Sequence, residues 1–260
     1  MSFTTPISIP RAPWPIRYQD RILMLGSCFA DNIARKLSEY YFRVTVNPTG
    51  TLYNPVSVAR HVDLLCEHEV AIITFGTAWV YEDIQTGLVV DNCRKRPASD
   101  FLRRRLTVEE IVNLWQAIIH RYADRRFIFT VSPIRHIKDG LHENQLSKAI
   151  LLLAIEKLIN NDAAIYFPSY ELLQDELRDY RFYASDMLHP SETAVEYIFE
   201  RFADTFLYDT DTRESMRSLH QLYLDRRHRP LHPESEEYQQ FQAQRELRAR
   251  QLRQQFPWLN

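Results

Sequence analysis

The chain has 260 residues, 45% hydrophobic and 25% charged, the make-up of a globular protein with enough apolar mass for one large core. Its 32 lysines and arginines against 34 acidic residues leave a net charge of -2, so no basic field offers itself to a nucleic-acid backbone. No run approaches the ~20 apolar residues of a membrane span, and the amino terminus lacks the apolar stretch of a secretory signal, so the expectation is a cytoplasmic protein.

The three cysteines, Cys28, Cys66 and Cys93, are odd in number and form no close pair, which argues for reduced thiols and against a disulfide framework or zinc site. No spaced carboxylate cluster accompanies the histidines, so no metal site is read.

Residues 1–20 carry four prolines in "MSFTTPISIPRAPWPIR" and read as an extended arm over the domain. Short apolar runs then alternate with stretches of helical period. The predicted strands are Ile22–Leu25, Arg43–Val46, Val70–Phe75, Phe127–Val131 and Ala163–Phe167, each short and rich in β-branched or aromatic residues. The predicted helices are Asp31–Tyr40, Pro55–Glu67, Thr107–Tyr122, Glu143–Asn160 and Ser191–Tyr208. Parallel strands need crossovers and the crossover helices cover both faces of the sheet, so the expected fold is a three-layer α/β/α sandwich.

Residues 81–105 interrupt the rhythm and read as an inserted loop or hairpin. Its Arg94, Lys95 and Arg96, with Arg103 to Arg105, make it locally basic. The plainer reading is a solvated loop; the sharper one is a lid flanking a crevice and favouring an anionic substrate. Residues 211–260 are charged and helix-prone, with Phe241, Leu247, Leu252 and Phe256 in a loose apolar stripe. They are expected as one helical extension on a domain spanning 1–210.

Only five glycines occur, and Gly26, Gly50 and Gly76 each follow a predicted strand, where open α/β sheets bind their ligands. Ser27 leaves the first strand for a helix. A nucleophile there has backbone amides and the helix dipole beside it, although a serine before a helix is also the usual N-cap. Cys28 next to it reads as a small buried apolar residue. Late in the chain, "YASDMLHPS" places Asp186 and His189 three residues apart in one loop, the histidine as a base and the aspartate as its orienter. Arg135 and His136, after the fourth strand, are candidates to hold a carboxylate or phosphate of a substrate, or else to pack the loop.

The run Gly26-Ser27-Cys28-Phe29-Ala30, with "NPTGTLYNP", "TFGTAWVYED", "TVSPIRHIKDG", "NQLSKAIL" and "YFPSYELLQDELRDYRFYASDMLHPS", resembles the GSCFA-domain family, which is similar to the SGNH (GDSL-like) hydrolases. The resemblance covers about Ile7 to Tyr208. It implies a flavodoxin-like five-stranded parallel sheet and a Ser27–His189–Asp186 triad. It also implies an oxyanion hole using the Ser27 and Gly50 amides. SGNH enzymes follow the third strand with Gly-x-Asn-Asp, whose asparagine is an oxyanion donor. This chain instead has Gly76-Thr77-Ala78-Trp79, so Thr77, Asn47 or Asn54 stands as the substitute donor.

The implied function is a serine esterase acting on a small-molecule or glycan acyl ester, deacetylation being one form of that reaction, with no cofactor. A non-catalytic ligand-binding protein on the same fold is the alternative. A thiol hydrolase using Cys28 ranks last, because one residue of helical progression turns a side chain by about 100°.

Overall fold

The computed structural model describes residues 4–91, 96–159 and 163–259. Five parallel strands form the central sheet: β1 (Arg21–Gly26), β2 (Arg43–Val46), β3 (Val70–Phe75), β6 (Arg126–Val131) and β7 (Ala164–Tyr166), in the order β2-β1-β3-β6-β7. Between β3 and β6 lies an antiparallel hairpin, β4 (Trp79–Asp83) with β5 (Phe101–Arg105), so the insertion is a hairpin rather than a loop. The helices are α1 (Cys28–Glu39), α2 (Pro55–Ala59), α3 (Val108–Arg121), α4 (Leu141–Leu158), α5 (Ser169–Glu171, running on as a π-helical turn to Leu177), α6 (Glu192–Phe206), α7 (Thr210–Arg227) and α8 (Glu236–Gln255).

Period-two alternation along the strands builds a core on each face of the sheet. Ile22 and Met24 of β1, Val70 and Ile72 of β3 and Ile128 of β6 pack with Phe29 and Ile33 of α1 and Ile198 and Phe202 of α6. Leu23 and Leu25, Ile73 and Phe75, and Phe127 and Phe129 pack on the other face with Ile111 and Trp115 of α3 and Leu151 and Ile155 of α4. Every residue of β3 is buried, as a central parallel strand should be. The architecture is the expected three-layer α/β/α sandwich.

The arm joins the first face: Ile16 is fully buried, and the Ala12 and Ile16 amides donate to the Thr205 and Phe206 carbonyls at the end of α6. The carboxyl-terminal region forms two helices, where the sequence pattern suggested one. Leu219 and Leu222 of α7 and Ala249, Leu252, Phe256 and Leu259 of the last segment join the same cluster as β1 and α1. Leu247 is exposed, so the inward face of α8 is set by Ala249 and Leu252. The stretch expected as one helix over 55–67 divides into α2 and a 3-10 turn, Val62–Glu67. Helix α1 begins at Cys28, three residues earlier than its apolar period indicates, because Ser27 caps it.

Candidate active site

The site is assembled at the carboxyl edge of the sheet. β1 ends at Gly26, with φ 138°, where a Cβ would sit 2.0 Å from the Thr74 carbonyl oxygen; only glycine fits this passage. The next residue, Ser27, is fully buried, and its Oγ accepts the Phe29 amide at 3.3 Å as the N-cap of α1. Cys28 is the first helical residue and stays partly exposed. Its Sγ lies 3.5 Å from His189 Nε2.

His189 comes from the loop before α6. Asp186 Oδ1 accepts the Leu188 and His189 amides at 2.9 and 3.0 Å, while Oδ2 meets His189 Nδ1 at 2.6 Å. Between them Met187 takes φ 60°, the left-handed bend that turns the carboxylate back over the following amides. The His189 and Leu188 amides, followed by the imidazole, hold the Asp186 carboxyl down at about 2. With Nδ1–H committed to Asp186, Nε2 presents its lone pair to the thiol. Burial pushes the Cys28 thiol up, opposed by its own backbone amide; Asp31 raises it further, Lys148 lowers it, and Asp186 raises it. Burial thus favours the thiol form of Cys28 beside the imidazole.

Asp186 and His189 meet as expected, but their partner is Cys28, where the sequence reading placed Ser27. The oxyanion donors expected from sequence are also taken. The Ser27 amide donates to Thr74 O at 3.2 Å and the Gly50 amide to Asn47 O at 2.8 Å. Gly50 borders a separate hollow with Arg60 and His61. The Asn47 side chain accepts the Gly26 amide and donates to Asp31, tying β1 to α1. Asn54 caps α2 through the Ser57 amide, and Thr77 Oγ1 bonds Ser147 Oγ and accepts the Trp79 amide. These residues hold the loops of the site in place.

A cleft of about 470 Å³ is lined by Tyr53, Thr77, Trp79, Arg135, His136 and Leu188, the residue before His189, among others. Arg135 stacks on Tyr183 at 4.1 Å and on Tyr180 at 5.0 Å. The hairpin supplies Trp79, with the Arg103 guanidinium 3.7 Å from its ring centroid. The basic residues described on the insertion are otherwise matched by acids: Arg96 with Asp83 and Asp100, Arg104 with Glu82 and Glu110, Arg105 with Glu143. Arg94 and Lys95 lie outside the described residues.

One residue that the sequence reading passed over is Lys148. It is completely buried on α4, and Nζ donates to the Gly76 and Ser132 carbonyls at 2.7 Å each, joining the ends of β3 and β6. Burial pushes its pKa down to about 7, with Cys28 opposing. The signal was present in the sequence: Asn144, Ser147, Lys148 and Leu151 follow the helical period and are all buried, which puts the lysine on the inward face.

The model of the GSCFA family matches residues 21–71 and 60–202, and that of the GSCFA domain protein, C-terminal domain, matches 220–260. No curated protein matches the chain. A solved structure from Desulfitobacterium hafniense DCB-2, described as a lipolytic protein of the G-D-S-L family, is similar over 72% of this chain and 99% of its own, at 14% identity and TM-score 0.42. A carbohydrate esterase family 3 structure from Talaromyces cellulolyticus is similar over 71% of this chain and 95% of its own, at 10% identity and TM-score 0.40. The family models span most of the sequence, and their run Gly26-Ser27-Cys28-Phe29-Ala30 forms the turn from β1 into α1: the chain belongs to the GSCFA family.

Proposed function

We propose that this protein is an acyl hydrolase whose nucleophile is the Cys28 thiol, with His189 as base and Asp186 as its orienter, acting on a small-molecule or glycan acyl ester. The observation that carries the reading is the chain of contacts Cys28 Sγ to His189 Nε2 at 3.5 Å and His189 Nδ1 to Asp186 Oδ2 at 2.6 Å. Ser27 is buried beneath it as an N-cap. In this reading the thiol proton passes to Nε2 as sulfur attacks the acyl carbon. The leaving alkoxide takes that proton back, and a Cys28 thioester remains. Water, deprotonated by His189, then attacks the thioester, releasing the acid and restoring the thiol. Asp186 stays ionised throughout and steadies the imidazolium.

The alternative, a ligand-binding protein without chemistry, draws on one observation: the Ser27 and Gly50 amides that would serve an oxyanion are spent on the Thr74 and Asn47 carbonyls. Incubation with p-nitrophenyl acetate followed by mass spectrometry separates the readings. Acyl hydrolysis through sulfur predicts an acetyl group on Cys28 that persists in Ser27→Ala and is absent in Cys28→Ala. An adduct on Ser27 would return the role to the hydroxyl, and no adduct with any p-nitrophenyl ester or thioester tried would favour the binding protein.

A further inference from the structure

Acyl transfer at Cys28 needs a hydrogen-bond donor for the developing oxyanion, and the amides expected to supply it are occupied. Two buried nitrogens of a neighbouring cleft have no partner. Among the described residues, Trp79 Nε1 and His136 Nε2 have no hydrogen-bond partner, and both side chains line the same cleft. Orphaned buried polar atoms cost free energy, so a pair of them in one cleft marks a place where a ligand supplies the acceptors.

We propose that His136 donates, through Nε2–H, the hydrogen bond that stabilises the oxyanion formed when Cys28 attacks an acyl carbonyl. The proposal rests on the reading of Cys28 as the nucleophile. Its basis is placement. A Cβ built on Gly76 would lie 3.0 Å from the Tyr53 carbonyl oxygen, 3.4 Å from His136 Nε2 and 3.4 Å from Ser27 Cβ, so only the bare glycine separates the imidazole from the turn that carries Cys28. A side chain at position 76 would crowd both.

The imidazole is held for this task. The His136 amide donates to Asn144 Oδ1 at 3.0 Å, and the ring meets Tyr53 edge-on at a centroid distance of 5.9 Å. Burial, followed by Lys148 and His189, pushes its pKa down to about 3. An imidazole that remains uncharged does not repel the imidazolium formed at His189, and it gives a hydrogen bond without competing for the thiol proton. The Trp79 indole N–H, a second unclaimed donor in the cleft, fits a substrate with a further acceptor beyond its carbonyl.

The test compares two reactions of the same sulfur. Acylation by p-nitrophenyl acetate passes through an oxyanion, whereas alkylation by iodoacetamide forms its bond at a saturated carbon and makes none. His136→Phe, which keeps a ring and removes the donor, is expected to slow Cys28 acylation about 10² to 10³-fold, the loss typical of one oxyanion donor, and to leave alkylation within about twofold. His136→Gln, which restores an N–H, is expected to recover much of the acylation rate. Equal slowing of both reactions would mean that His136 acts on the thiol or the fold, and would overturn the proposal. Unchanged acylation in His136→Phe would overturn it as well, while leaving Cys28 as the nucleophile. Wild-type protein that is alkylated at Cys28 but never acylated would remove the hydrolase reading, and this proposal with it.

Discussion

Cys28 Sγ and His189 Nε2 lie 3.5 Å apart although the two residues are 161 positions apart in the chain. The contact joins the first turn of α1 to the loop before α6, and those two helices pack on the same face of the sheet.

Asp186→Asn is expected to fold normally, because an amide oxygen can still accept the Leu188 and His189 amides that Oδ1 now accepts. Turnover of an ester confirmed as a substrate should fall by about 10⁴, since the imidazolium loses its counter-charge and the ring its tautomer. Circular dichroism and steady-state kinetics together check the outcome. Turnover equal to wild type would place Asp186 in the loop's architecture alone.

The pH dependence of Cys28 alkylation distinguishes a protonated thiol from a preformed ion pair. With the thiol pushed up from its ordinary value of 9.0 by burial, iodoacetamide alkylation should keep rising beyond pH 9. Asp186, held down at about 2, contributes no acid limb above pH 4. A rate already at its plateau at pH 6 would indicate a thiolate paired with imidazolium.

Lys148 sets a pH-dependent stability of definite sign. Its pKa falls from the ordinary 10.5 to about 7 on folding. Between those values the unfolded chain holds one proton more than the native one, so native stability rises with pH. Below 7 both states are protonated and the cost of burying the charge is borne in full; above 10.5 that cost is gone. Urea unfolding of wild type and Lys148→Met at pH 7 and pH 10 should show wild type gaining on the variant as pH rises, by several kcal/mol at most. At both pH values the variant also carries an offset of ~1–3 kcal/mol for each carbonyl, Gly76 and Ser132, that loses its partner. A difference independent of pH would mean that the lysine stays charged.

Gly26→Ala is expected to destabilise the fold by more than about 3 kcal/mol, because it combines a φ of 138° with a Cβ 2.0 Å from the Thr74 oxygen. Gly50→Ala is also strained, at φ 100°, but meets nothing within 4 Å, so its loss should be limited to backbone strain of ~1–3 kcal/mol. Thermal unfolding of the two variants gives the comparison.

Phe256→Ala tests how far the last helices belong to the main core. Phe256 is buried, and its ring centroid lies 5.0 Å from that of Tyr18 in the arm. A loss of about 3–5 kcal/mol in a single unfolding transition is expected if the two ends of the chain share one core. A separate early transition would show the carboxyl-terminal helices melting alone.

The strands and their crossovers were legible in the sequence because they rest on local chemistry: each buried parallel strand is a short apolar run, and each crossover carries a helical period. Arg43–Val46 and Val70–Phe75 come out with the bounds that their β-branched residues suggest. Asp186 and His189 were legible for a similar reason, since three residues of one loop hold them together. Lys148 lay within reach of the period of α4, although a lysine ordinarily belongs on the solvent face of a helix.

Which of Ser27 and Cys28 faces His189 was decided in three dimensions. Both side chains stand at the same turn, and the ~100° between successive helical residues separates their directions without saying which one faces the histidine. Close packing of Gly26 on Thr74 sets the turn, Ser27 takes the buried cap, and Cys28 is left facing the loop that carries His189. The engagement of the Ser27 amide by the Thr74 carbonyl and the burial of Lys148 between two strand ends share that origin. Sequence spacing fixes which residues are near along the chain. Hydrogen-bond partners and open space depend on segments far apart in sequence, and only the packed tertiary structure brings those together.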